Sequence, residues 1–166
     1  MLSKNLEALL NKQIEMEGNA SSVYLAMASW AEVKGYSGVS KFLYRHSDEE
    51  REHMLKLFHY VNERGGVAVV PNLKSPKADY ESINDLFETL FKHEVKVSEE
   101  INLLVDSSLK EKDYATHNFL QWYVAEQIEE ERLARDVLDK LELIGNDKGG
   151  LYLLDRDLET LAGKIE

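Results

Sequence analysis

Apolar residues recur every three or four positions along four long stretches of this chain, which is the period of a helix burying one face. The first stripe steps through Leu6, Leu10, Gln13, Glu17, Ala20, Tyr24, Met27 and Ala31, the second through Val39, Leu43, His46, Glu50, His53, Leu57 and Tyr60. The third runs Ile83, Phe87, Leu90, Glu94, Val97, Ile101, Leu104, and the fourth Thr116, Phe119, Tyr123, Gln127, Glu130, Ala134, Val137, Leu141. Glycines punctuate the stripes at Gly35 and Gly38, at Gly65-Gly66, and at Gly145, Gly149 and Gly150, while both prolines, Pro71 and Pro76, fall in one loop. These stops predict helices over 5–34, 38–64, 83–111 and 114–144, with a short fifth helix over 150–162. Ser82-x-x-Asp85 has capping-box spacing with Asp in place of Glu, and Asp113 suits the N-cap of the fourth helix.

The long segment between Gly65 and Glu81 has a geometric use. A helix of about 28 residues is about 42 Å long, and a loop of about 17 residues reaches roughly 56–60 Å when extended. The loop can therefore traverse the bundle and start the third helix at the far end. The expected fold is all-α, a single domain over 1–166. Its four-helix bundle, at 5–144, consists of two antiparallel hairpins joined by one long crossover.

The polar residues inside the stripes carry the candidate chemistry. Glu17 to Glu50 and Glu94 to Gln127 are both 33 residues apart, and Glu17 to His53 and Glu94 to Glu130 are both 36. Each falls near the middle of a predicted helix, on the face that should be buried. Several buried carboxylates at one depth must be protonated, paired with cations or bound to metal. The stripes offer no Lys or Arg at these levels. Glu50 and His53, at i and i+3, can reach one ion, and carboxylates with an imidazole suit iron or manganese, with zinc as competitor. Glu126, Glu129 and Glu130 are i, i+3, i+4 neighbours whose mutual repulsion, with Glu49 nearby, a further cation would relieve.

Composition narrows the classes. The chain has 166 residues, no cysteine and a net charge of −11, which excludes disulfides and thiolate sites and argues against a nucleic-acid partner. No apolar run is long enough for a membrane helix, and Met1–Glu7 lacks signal-peptide character, so a cytoplasmic location is expected.

At these residues the chain resembles the bacterial non-haem ferritins. The resemblance is carried by Glu17 through Tyr24, Phe42-Leu-x-Arg-His-x-x-Glu-Glu-x-x-His53, Tyr80 through Glu94, Asn118 through Gln127, and Gly150-Leu-Tyr152 with Asp155. It implies a ferritin-like bundle with a fifth helix, a homo-oligomeric shell of twenty-four copies, and oxidation of Fe(II) by O2 or H2O2 followed by storage of ferric mineral. It implies two irons per subunit, with Glu17, Glu50 and His53 as ligands of the first, Glu50 bridging, and Glu94 and Glu130 on the second with Gln127 beside it. Tyr24 matches the tyrosine near the centre, and Glu49, Glu126, Glu129 and Glu130 match a third iron site. Haem-containing relatives carry Glu-x-x-His on the fourth helix and a Met after the bridging Glu. Here Gln127, Glu130 and Arg51 stand instead, so no haem is expected.

Two rivals keep other classes open: a passive divalent-cation store without an oxidase step, and a structural bundle whose acidic stripe faces solvent. Trp122 and Met54 are expected to pack, and His59, His93 and His117 to face solvent or make local hydrogen bonds. Gly18, inside the first helix, has no account from sequence.

Overall fold

A computed structural model describes residues 1–163. It contains α1 (Lys4–Val33), α2 (Ser37–Glu63), α3 (Ile83–Lys110), α4 (Tyr114–Ile144) and α5 (Lys148–Ala162). The first four boundaries fall within a residue of the expected ones. The fifth helix starts two residues early, because the Asp147 side chain accepts from Gly150 N and draws both glycines into the first turn. Ser82 caps α3 by accepting from Asp85 N, but the Asp85 carboxylate turns to Glu81 N rather than back to Ser82, so the box is displaced by one residue. Asp113 caps α4 through Thr116 N.

α1 packs on α2, α3 on α4, and α1 on α3, giving two hairpins side by side, with α5 laid against α2 and α4. The crossover runs up the outside of α1 because α1 satisfies its backbone. Glu7 accepts from Val67 N, Asn11 accepts from Val69 N and donates to Val67 O, and Asn19 accepts from Lys74 N. Trp30 Nε1 donates to Asp79 near the top, so α3 begins where α1 ends, and Asn5 meets Ser107 and Glu111 at the other end. A Cβ on Gly18 would stand 2.8 Å from Leu73 Cδ2 and 3.1 Å from Met54 Sδ, both ends of flexible side chains, where the crossover passes α1.

The core has two apolar clusters. One gathers Ala20–Ala31, Val39–Leu43, Ile83–Leu90 and Ala134–Leu141 around α5, and the other gathers Leu6–Ile14, Leu57, Val61, Val97–Leu104, Leu120 and Tyr123. Between them lies one polar layer. The Cα atoms of α2 and α4 nowhere approach within 8 Å, so side chains must close that side of the bundle.

Candidate metal centre

Glu17, Glu50, His53, Glu94, Gln127 and Glu130 are all buried, and together they make the polar layer between the two apolar clusters. All four helices contribute. This burial removes the reading in which the acidic stripe faces solvent.

One half of the layer is formed by α1 and α2. Glu17, Glu50 and His53 each offer a ligand atom within 4.8 Å of the others. His53 Nδ1 stands 3.6 Å from Glu50 Oε2 and 3.9 Å from Glu17 Oε2, while its Nε2 faces Glu126 Oε1 at 3.7 Å. Gln13, one turn before Glu17, donates to Glu17 Oε1. Trp122 meets the His53 ring edge-on at 5.2 Å, and Lys56 Nζ sits 3.2 Å above the indole. Among the described residues, four buried side-chain atoms have no hydrogen-bond partner: Glu17 Oε2, Glu50 Oε2, His53 Nδ1 and the hydroxyl of Tyr123.

The other half is formed by α3 and α4. The Tyr24 hydroxyl donates to Glu94 Oε1, and Gln127 Nε2 donates to Glu94 Oε2 at 3.2 Å and to the Glu94 carbonyl at 3.2 Å. Glu130 Oε2 takes His46 Nε2 at 3.4 Å from across the α2–α4 gap, and His46 Nδ1 lies 3.0 Å from Phe42 O. His46, Glu49 and Glu130 form a second group with ligand atoms within 4.8 Å.

The structure thus brings together the expected first-site set and places Glu94, Gln127 and Tyr24 around one carboxylate. It joins Glu49 and Glu130 through His46, whereas Glu126 is half-buried beside His53 and Glu129 is exposed and outside both groups. Three residues missed from sequence belong to the layer: His46, Tyr123 and Gln13. Each is a stripe residue one turn from an expected site residue, and that phase was the available signal. His93, expected to face solvent or make local hydrogen bonds, is half-buried with Nδ1 3.5 Å from the Tyr24 hydroxyl, which is distant in sequence. His59 is exposed, and His117 pairs locally with Gln121.

The electrostatics follow from depth and neighbours. Burial pushes Glu17 well above the usual carboxylate range, and the facing charge of Glu50 adds to it. Burial likewise raises Glu50, although Glu17 beside it pulls the other way. Burial and the Glu130 charge lift Glu94 to about 7, although Tyr24 and Gln127 hydrogen bonds oppose them. Glu130 is also buried, but His46 outweighs burial and holds it below its ordinary value. Burial then keeps Tyr24 and Tyr123 as phenols, with neighbouring carboxylate charges reinforcing it. Hard oxygen donors with imidazole nitrogens, short of positive charge, are chemistry for divalent cations.

Residues 7–144 match the ferritin-like domain family.

The chain belongs to the ferritin family.

This ferritin is similar to a "Probable bacterial non-heme ferritin-like protein" of Haemophilus influenzae, 46% identical over 99% of both chains. It is also similar to a "Bacterial non-heme ferritin" of Campylobacter jejuni, 43% identical over 98% of this chain and 97% of that one. Among solved structures, an open pore ferritin from the archaeon Archaeoglobus fulgidus superposes with a TM-score of 0.94 at 42% identity, covering 95% of this chain and 96% of that one. The fold expectation holds throughout: a four-helix bundle, one long crossover and a short fifth helix. Among the described residues, no helix is long and apolar enough to cross a membrane.

Proposed function

We propose that this ferritin subunit oxidises Fe(II) at the polar layer and, in a hollow homo-oligomeric shell of twenty-four copies, stores the ferric product as mineral. The observation that carries the reading is the convergence of Glu17 Oε2, Glu50 Oε2 and His53 Nδ1, three buried ligand atoms without protein partners, in one layer. A buried carboxylate pair without a cation is costly, and a metal relieves it.

In this reading Fe(II) is the substrate. Glu17, Glu50 and His53 take the first ion. Glu94 and Glu130 take the second, Glu50 reaches both, and Gln127 and Tyr24 hold Glu94 in place. Two Fe(II) ions give up one electron each, and O2 accepts both with two protons to yield peroxide. With H2O2 as oxidant the two electrons and two protons yield two water molecules. The protein positions the ions and supplies hard ligands that favour the ferric state. A third ion lies towards Glu49, Glu130, Glu126 and Glu129, with His46 as the nitrogen donor of that group. No haem takes part, and a reducing cytoplasm suits a chain without cysteine.

The test is anaerobic titration of metal-free protein with Fe(II), followed by O2, reading visible absorbance and remaining ferrous ion. Saturation at about two or three ions per chain with fast oxidation is expected, and Glu17→Ala should slow it. Iron that binds but oxidises no faster than in buffer would make this a passive cation store. No stoichiometric binding would end the metal-centre reading.

A further inference from the structure

The four unpartnered atoms are not chemically alike. Glu17 Oε2, Glu50 Oε2 and His53 Nδ1 each carry a lone pair that a cation can take. The fourth, the Tyr123 hydroxyl, belongs to a fully buried residue on α4, one turn from Gln127, with its ring edge-on to His53 at 5.7 Å and to Trp122 at 4.7 Å. A phenol has a hydrogen to give, and leaving it unpaired in an apolar setting is expensive. Its twin, Tyr24, is fully buried too, yet its hydroxyl is engaged by Glu94 on the other side of the layer. The two tyrosines therefore serve different halves of the centre: Tyr24 fixes a ligand, whereas Tyr123 turns its hydroxyl towards Glu17 of the first site without closing a hydrogen bond of ordinary geometry.

Resting on the metal-centre reading, we infer that Tyr123 is a positioning residue for the first metal position. Its hydroxyl donates to the non-protein oxygen ligand, water or hydroxide, that completes the coordination of a cation held by Glu17, Glu50 and His53. Three protein ligand atoms leave a first-row divalent ion short of its usual coordination number, so solvent oxygen must join it. A hydroxide gains more from a donor than water does, because hydrogen bonds to charged groups are the stronger ones. Tyr123 therefore favours the deprotonated form of that ligand and orients it.

The probe is Co(II), whose visible d–d bands report coordination without oxidation chemistry. Metal-free wild type, Tyr123→Phe, Tyr24→Phe and Glu17→Ala are each loaded with Co(II) and titrated with base. The bands lost in Glu17→Ala are those of the first position. In Tyr123→Phe the pH midpoint of those bands should rise by about one unit, and in Tyr24→Phe it should stay put. An unmoved midpoint in Tyr123→Phe, or no pH transition in the wild type, overturns the inference while the metal centre stands. Absence of Glu17-dependent Co(II) bands in the wild type overturns both. Metal-free Tyr123→Phe should melt at the wild-type temperature or above, and a clear loss would reveal a protein partner for the hydroxyl and overturn the inference.

Discussion

His46 on α2 reaches across to Glu130 on α4, Nε2 to Oε2 at 3.4 Å, where the two helix backbones stand too far apart to touch. This contact separates Glu130 from the other buried carboxylates. It is the one held below its ordinary value, while Glu17, Glu50 and Glu94 are pushed above theirs. His46→Ala should therefore leave a buried charge unpaired and destabilise the metal-free protein by about 3 kcal/mol. Chemical denaturation of metal-free protein measures it, and a change near zero would show that the pair contributes nothing.

Glu94 should behave in the opposite way. Glu94→Gln keeps an acceptor for the Tyr24 hydroxyl but deletes a charge that burial and Glu130 already penalise. The metal-free variant should melt at the wild-type temperature or higher when the pH is above about 7, and bind fewer Fe(II) ions per chain. Calorimetry with chelator and anaerobic titration report the two effects. A large loss of apo stability would contradict the role assigned to Glu94.

The pH dependence has a definite sign. Glu94, lifted to about 7 from 4.5, binds its proton more tightly in the native state than in the unfolded chain, so its contribution weakens as pH rises through that interval. Glu17 and Glu50 are raised and act alike. His46 is raised because Glu130, with Glu49 behind it, outweighs burial, so its stabilisation is present at low pH and lost as pH climbs through its folded value. Glu130 works in the other direction, but only as pH falls below the ordinary carboxylate range. The raised groups Glu17, Glu50, Glu94 and His46 thus act with one sign between about pH 4.5 and 7. The metal-free Tm should drop by about 5 °C or more across that window. A saturating divalent cation should remove or reverse the trend, since metal replaces the bound protons. A flat apo profile would mean that the carboxylates are solvated.

Much of this was legible because helical phase is written in the sequence. The stripe that places Leu10 and Tyr24 inward places Glu17 between them, and the paired prolines with Gly65-Gly66 mark the crossover. What stayed hidden depends on partners distant in sequence. Leu73 comes close to Gly18 only once the crossover is in place, and Asn11 and Asn19 look like ordinary surface residues until the crossover backbone lies on them. Glu129 lies about 100° around the helix from Glu130, enough to turn it to solvent while Glu130 stays buried. His46 sat on the correct stripe, but a lone histidine does not announce which carboxylate will face it.

Gly38 supplies a test of how α5 is held. The Asp155 side chain accepts from Val39 N at 2.9 Å, which uses a free N–H in the first turn of α2, and Arg45 Nη1 donates to Ala162 O at 2.9 Å farther along. Lys41 pairs with Glu159 between them, and Leu154 and Leu158 turn inward onto the upper apolar cluster. All of this requires the α5 backbone to lie directly on α2. A Cβ on Gly38 would overlap the carbonyl oxygen of Asp155 and crowd Glu159 N at 3.0 Å, and neither is a flexible side-chain end that can swing away. Alanine is the better helix former by roughly 1 kcal/mol, so a gain would be expected if only α2 mattered. Because the helix itself must shift, Gly38→Ala should instead destabilise by about 1–3 kcal/mol and raise hydrogen exchange in α5 while α1 to α4 keep their protection. Unchanged exchange in α5 with a higher Tm would show that the fifth helix is not seated on α2 through this glycine.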